Sequence, residues 1–186
     1  MLWVDGFSRN RTFIRMAKID DLIKRIKTLD GYQIKAGILK GATYPDTGQS
    51  VAQVAFWQEY GVPSRGIPPR SFIRSTEAAK LPEWRALRDK YLAFYLRGDI
   101  TKENLTTIVG GQMAADIKAA IKAGIDPPLS PVTVMTRYLV KSKNRPRTFS
   151  TVQEARERIA KGETPPSGDD TPLYDTHVLY NAIDYE

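Results

Sequence analysis

A chain of 186 residues with 10% aromatic content is long enough to bury about two-thirds of its extended surface, and its length gives no reason to divide it. It has no cysteine, which excludes a disulfide scaffold, a thiolate nucleophile and any Cys-ligated zinc. The formal charge of +7 suits a nucleic acid or an acidic protein as partner, and no apolar run reaches the roughly 18 residues of a membrane span.

The first segment, MLWVDGFSRN, lacks the long apolar stretch of a secretory signal, so a cytoplasmic site of synthesis is expected. Arg9, Arg11, Arg15, Lys18, Lys24, Arg25 and Lys27 make the N-terminal region basic, whereas Asp169, Asp170, Asp175, Asp184 and Glu186 make the other end acidic. Opposite-signed ends favour head-to-tail association between copies as well as they favour DNA. From Ile19 to Leu29 the apolar residues Ile19, Leu22, Ile23 and Ile26 recur at helical spacing, which predicts an amphipathic helix closed by the turn Asp30-Gly31. The alternation in YQIKAGILKG, residues 32–41, then predicts a half-buried strand.

Ser50 to Arg74, SVAQVAFWQEYGVPSRGIPPRSFIR, opens with a capping-box pattern between Ser50 and Gln53. Val51, Val54 and Ala55 share one helical face; Gly61 fits a left-handed stop, and Pro63 forbids the helix from resuming beyond Tyr60. Pro68 and Pro69 predict an extended arm presenting Ile67, Arg70, Phe72, Ile73 and Arg74. Such an arm either tucks Phe72 and Ile73 into the domain's own core or docks on a protein neighbour.

Pro82 suits a first helical position, with Trp84, Leu87, Tyr91, Phe94 and Tyr95 on one stripe as far as Gly98. A further helix is expected from near Thr101 to Gly124, burying Leu105, Ile108, Val109, Met113, Ile117, Ala120 and Ile121 and exposing Asp116. Gly110 and Gly111 in its middle cost about 1 kcal/mol each relative to alanine, so they signal close packing or a kink. In PPLSPVTVMTRYLVKSK, Ser130 is the expected N-cap, Pro131 the first helical residue, and Val132, Met135 and Leu139 the apolar face. Residues 140–170 read as a surface insertion: the basic loop KSKNRPR, a short charged helix TVQEARERIAKG, and the connection GETPPSGDD.

Three strings, QEYG with IPPRSFIR, PPLSPVTV, and TPLYDTHVLYNAI from Thr171 to Ile183, follow one another in the order seen in a family of long-tailed bacteriophages. The chain resembles the tail-completion or head-to-tail joining (neck, minor tail) proteins, whose versions read roughly NEFG, IPPRPFLR, PLSPATIARK and KPLIDTGxLxxSI. The resemblance covers much of residues 32–186 and rests on Leu129, Ser130, Pro131, Thr133, Leu173, Asp175, Thr176, Leu179 and Ile183 beside the arm. It implies a virion protein without catalytic activity that assembles with itself into a ring and with neighbouring neck or tail proteins in the host cytoplasm. DNA would pass nearby without being read. It also implies that Ile67, Pro68, Pro69, Arg70, Phe72, Ile73 and Arg74 form a protein interface, to which the charge asymmetry of the two ends adds Arg9, Arg11 and Arg15. Two departures stand out. Ser71 replaces a proline, and His177 replaces the glycine of DTG, so that Asp175 or Thr176 is expected to serve as a plain N-cap. Family members continue past this motif, which leaves the last strand missing or supplied by a partner.

Catalytic, cofactor-binding and metal-ligating residues are assigned to none. The sole histidine, His177, has no ligand-spaced companion, Asp169-Asp170 lies in a Pro/Gly-rich connection, and neither GVPSRG nor IVGGQM has phosphate-loop spacing. The alternative is a basic nucleic-acid-binding protein using the N-terminal cluster and KSKNRPR, although no helix-turn-helix, zinc finger or RNA-binding aromatic motif is present. The expected fold is α+β in a single domain, 1–186: a basic N-terminal helix region (1–31), a core (32–139) with the arm at 61–74, the insertion (140–170) and a C-terminal motif (171–186). A small antiparallel sheet is packed by several helices.

Overall fold

The computed structural model describes residues 18–39, 41–45, 47–144, 146–167 and 170–186. Arg9, Arg11 and Arg15 therefore lie outside the described residues. Two short strands distant in sequence close the fold: β1 (Ala36–Ile38) pairs antiparallel with β2 (Ile183–Tyr185), Ala36 opposite Tyr185 and Ile38 opposite Ile183. Lys35 and Glu186 extend the ladder by exchanging backbone hydrogen bonds of 2.8 and 2.9 Å. Around this sheet lie α1 (described over 18–27), α2 (Val51–Tyr60), α3 (Arg74–Arg97), α4 (Lys102–Ala123), α5 (Pro131–Ser142), α6 (Phe149–Ala160) and α7 (Val178–Asn181). The architecture is α+β, mostly helical, with one two-stranded antiparallel sheet. Among the described residues no helix is long and apolar enough to cross a membrane.

Helix α4 is the central element. Thr101 caps it through a reciprocal box with Asn104, and Gly124 ends it. One side packs Ala114, Ile117 and Ile121 with Val51 and Ala55 of α2, Phe72, Leu179 of α7 and Ile183 of β2. Its N-terminal half packs Leu105 and Val109 against Tyr95 of α3, with Tyr32, Ile34 and Leu29 alongside. Gly110 marks close packing: a Cβ there would lie 2.7 Å from Tyr185 Cδ2 of β2.

Several elements differ from the sequence reading. The strand is shorter than residues 32–41, because only Ala36–Ile38 finds a partner in the three-residue β2. That partner comes from the chain itself. Ser50 is the N-cap of α2 but makes no side-chain cap bond; the Val51 N–H is taken instead by the Ala42 carbonyl at 2.9 Å, as Thr43 and Ser50 form a bridge. Helix α3 starts at Arg74 rather than Pro82. Pro82 is exposed, so the Ala78 carbonyl deprived of its helical donor faces water and the interior proline is tolerated. Asp116 is not merely solvated, since it accepts the Trp84 Nε1–H at 2.7 Å. The 140–170 segment is not wholly a surface excursion: Ala155 of α6 is fully buried against Met135 and Leu139 of α5, forming a small core of their own.

Candidate functional site

The segment 61–74 does not project from the domain. Gly61, at φ 74°, lets the chain reverse, and a Cβ there would lie 2.8 Å from Pro69 N. Val62 and Ile67 exchange backbone bonds of 2.8 and 3.1 Å, and the Arg70 N–H reaches the Gln58 carbonyl at 2.6 Å, so the arm doubles back along α2. Pro69 and Arg74 are exposed, Ile67, Pro68 and Ile73 half-buried, and Arg70 and Phe72 buried. This corrects the expectation of a free docking arm at its two central residues. Phe72 has no exposed surface because it completes the α2–α4 core, and Arg70 is turned inward.

What turns the arm is Glu59. It continues the Val51, Ala55 face of α2, and its carboxylate is buried at the point where α3 begins. There it accepts from the Ser71 hydroxyl at 2.6 Å, from the N–H groups of Phe72, Ile73 and Arg74 at 2.8, 3.0 and 3.0 Å, and from Arg74 Nε at 3.0 Å. The N-cap of α3, Ile73, has no side chain able to cap, so a carboxylate from another helix satisfies the orphan donors. Burial pushes the Glu59 carboxyl upward, but the bonds from Ser71 and the three backbone N–H groups outweigh it and hold the group below the usual carboxylate range.

Two buried arginines connect the arm to the other two strings. Arg70 donates through Nε to the Pro127 carbonyl at 2.8 Å and through a terminal nitrogen to Pro128 at 3.1 Å. Arg137 of α5 donates to the Thr171 carbonyl at 2.9 Å and lies 3.2 Å from Asp175. Asp175 also faces Arg147 at 2.9 Å and Lys141 at 3.7 Å. This corrects its expected role: the N-cap position of α7 is His177, which makes no side-chain cap bond, and the Asp175 carboxylate is directed to cations of α5 and of the loop after it. His177 keeps the left-handed conformation, φ 58°, with its ring against Tyr174.

IPPR, PPLSP and TPLYDT thus converge, across more than a hundred residues of sequence, on one groove of about 1320 Å³. Ile67, Pro68, Leu129, Leu173 and Leu179 supply its apolar lining, with Tyr44 and the Arg137–Asp175 pair as polar groups. Burial, and then the nearby Asp175 charge, raise the Tyr44 hydroxyl pKa above its ordinary value. Among the described residues no three His, Cys, Asp or Glu side chains gather as metal ligands would.

Sequence reasoning passed over Glu59 and Arg137: Glu59 left a signal, a charged residue continuing the Val51–Ala55 face, whereas Arg137 lies off the Val132, Met135 and Leu139 face expected to be buried and left none. It also passed over an exposed aromatic pair on α2, Phe56 and Tyr60, whose rings lie 4.7 Å apart. Compared with protein-family models, curated proteins and solved structures, the chain matches none.

Proposed function

We propose that this is a structural protein of a phage virion, completing the tail or joining head to tail by assembling as a ring at the neck or tail end. Its partners are further copies of itself and the adjacent neck or tail proteins, and it is assembled in the host cytoplasm. The observation that carries the reading is the convergence on one groove of the three strings that resemble such proteins, tied together by Arg70 and Arg137. Strings that meet through buried hydrogen bonds form a single structural unit, and a unit is a firmer basis for resemblance than three short matches. The competing reading is a basic nucleic-acid-binding protein without catalytic activity; at this face Arg137, Lys141 and Arg147 share the one Asp175 carboxylate.

Two experiments on the full chain test the proposal. Particles of a phage encoding the protein contain it in fixed stoichiometry, and particles made without it accumulate as unattached heads and tails; absence from particles overturns the reading. Binding to free duplex is weak, about 10⁻⁴ to 10⁻⁶ M, and indifferent to sequence. Nanomolar, sequence-selective binding at physiological salt establishes the competing reading instead.

A further inference from the structure

Arg70 carries a charge that its surroundings do not balance. It is 7% exposed, and the surface it keeps lies on the wall of the groove. Its hydrogen bonds, from Nε to the Pro127 carbonyl and from Nη2 to the Pro128 carbonyl, go to neutral acceptors, and no carboxylate among the described residues forms an ion pair with it. Asp175, the one carboxylate among the described residues of the groove wall, faces Arg137, Arg147 and Lys141 instead. Burial, and then the like charge of Arg137, hold the Arg70 guanidinium below its ordinary pKa, yet it stays charged at neutral pH. A neutral amide would tie two carbonyls at far smaller desolvation cost, so the tie alone does not account for a buried charge.

The unused part of the guanidinium has a definite shape. Nε and Nη2 serve the two carbonyls, and Nη1 makes no hydrogen bond among the described residues. This leaves the Nη1–Nη2 edge, which grips a carboxylate through two parallel N–H bonds. The half-buried Tyr44 hydroxyl on the groove wall is a second donor that makes no hydrogen bond among the described residues. The same wall is apolar at Ile67, Leu129, Leu173 and Leu179, and at about 1320 Å³ the groove exceeds the roughly 300–1,000 Å³ of small-molecule pockets. Apolar lining, one guanidinium edge and a lone hydroxyl donor suit a polypeptide that carries a carboxylate among apolar side chains. A nucleic-acid strand would instead press a row of phosphates against the leucines and Asp175.

We infer that the groove receives an extended segment of a neighbouring protein, with an Asp or Glu side chain of that segment seated on Arg70 and its apolar neighbours on the leucine lining. The Tyr44 hydroxyl donates to a backbone carbonyl of the same segment, so it contributes affinity without reading charge. Pro68, Pro127, Pro128 and Pro172 fix the backbone of the wall, which keeps the ordering cost of binding small. The inference goes beyond the assembly reading and does not depend on it.

The test titrates the full-length chain with acetyl-Leu-Asp-Leu-amide and with its Asn counterpart, following backbone amide signals. The Asp peptide binds saturably, shifts the amides of Ile67, Arg70, Leu129 and Ser130, and binds about tenfold or more tighter than the Asn peptide. Arg70→Gln, which keeps donors for the two carbonyls, abolishes the preference for Asp. Tyr44→Phe, which removes only a hydroxyl, weakens both peptides alike and leaves the melting temperature unchanged. Should Arg70→Gln fail to fold, the wild-type preference, the location of its shifts and the Tyr44→Phe result still decide the matter. Equal affinity for the two peptides, no saturable binding, shifts confined to other residues, or a preference that survives in folded Arg70→Gln overturns the inference. Tighter binding of inorganic phosphate or of an oligonucleotide at the same residues also overturns it, in favour of a phosphate site. Asp5 is the only carboxylate in residues 1–19, so a full-length Asp5→Asn chain that binds the Asp peptide more tightly than wild type would show that the chain's own first residues compete for the groove, against a neighbour as occupant.

Discussion

Glu59 is the residue on which the local structure turns, because five donors from the start of α3 converge on one buried carboxylate. Removing it leaves backbone N–H groups buried without partners, so Glu59→Ala is expected to destabilise the chain by about 2–4 kcal/mol in urea unfolding. Glu59→Gln keeps the volume, yet its amide presents one acceptor and two donors to a ring of donors, and it should lose about half as much. The pH dependence has a defined sign. A carboxyl held below its ordinary value in the folded state stabilises the protein above the unfolded-state pKa, and this contribution disappears as pH falls through the folded value. The stability gap between wild type and Glu59→Gln is therefore widest near neutrality and narrows as the solution is acidified below the ordinary glutamate range. A gap independent of pH would show that the Glu59 charge plays no part. Nothing in QEYG announced this network from sequence alone, since the donors come from residues 12 to 15 positions later; only the placement of a glutamate on the Val51–Ala55 face hinted at it.

At the scale of elements, the sequence was most informative where local chemistry decides the outcome. Helix α4 begins at its Thr101 cap and ends before Gly124, and α5 starts with Ser130 accepting the Thr133 N–H at 3.3 Å, as the pattern indicated. It was least informative where a distant segment intervenes. The arm reads as extended because of Pro68 and Pro69, but its path depends on the Val62–Ile67 bridge, Glu59 and the carbonyls of Pro127 and Pro128. The distinction is measurable at Phe72: truncation to alanine should cost the isolated chain about 3–5 kcal/mol, as expected for a buried aromatic, whereas a docking residue would leave its stability unchanged. Gly110 gives a second test. Alanine gains about 1 kcal/mol of helix propensity there, yet its Cβ meets Tyr185, so Gly110→Ala should be destabilising by about 1–3 kcal/mol overall. Adding Tyr185→Ala should restore most of that loss in a double-mutant cycle, because the clash is with that one ring.

Among the described residues, Ile19, Leu22, Ile23 and Ile26 of α1, Phe56 and Tyr60 of α2, Tyr138 of α5 and Phe149 of α6 are exposed, and three separated sequence strings tied by buried arginines line one groove. In the proposed role, exposed apolar surface of this kind would meet neighbouring proteins. The groove was not legible in the sequence: no periodicity links residues 70, 137 and 175, and the resembling strings carry no sign that they meet in space. The α1 stripe was legible as amphipathic, but not its exposure in the fold. The measurement that bears most directly on this account is sedimentation of the nucleic-acid-free, full-length chain over a range of concentration and salt. The account predicts a species several times the 20.9 kDa protomer that persists at about 1 M salt, where charge attraction is screened within about 3 Å and apolar contact is not. A 20.9 kDa monomer at every concentration, or an assembly that dissolves as salt rises, would contradict it.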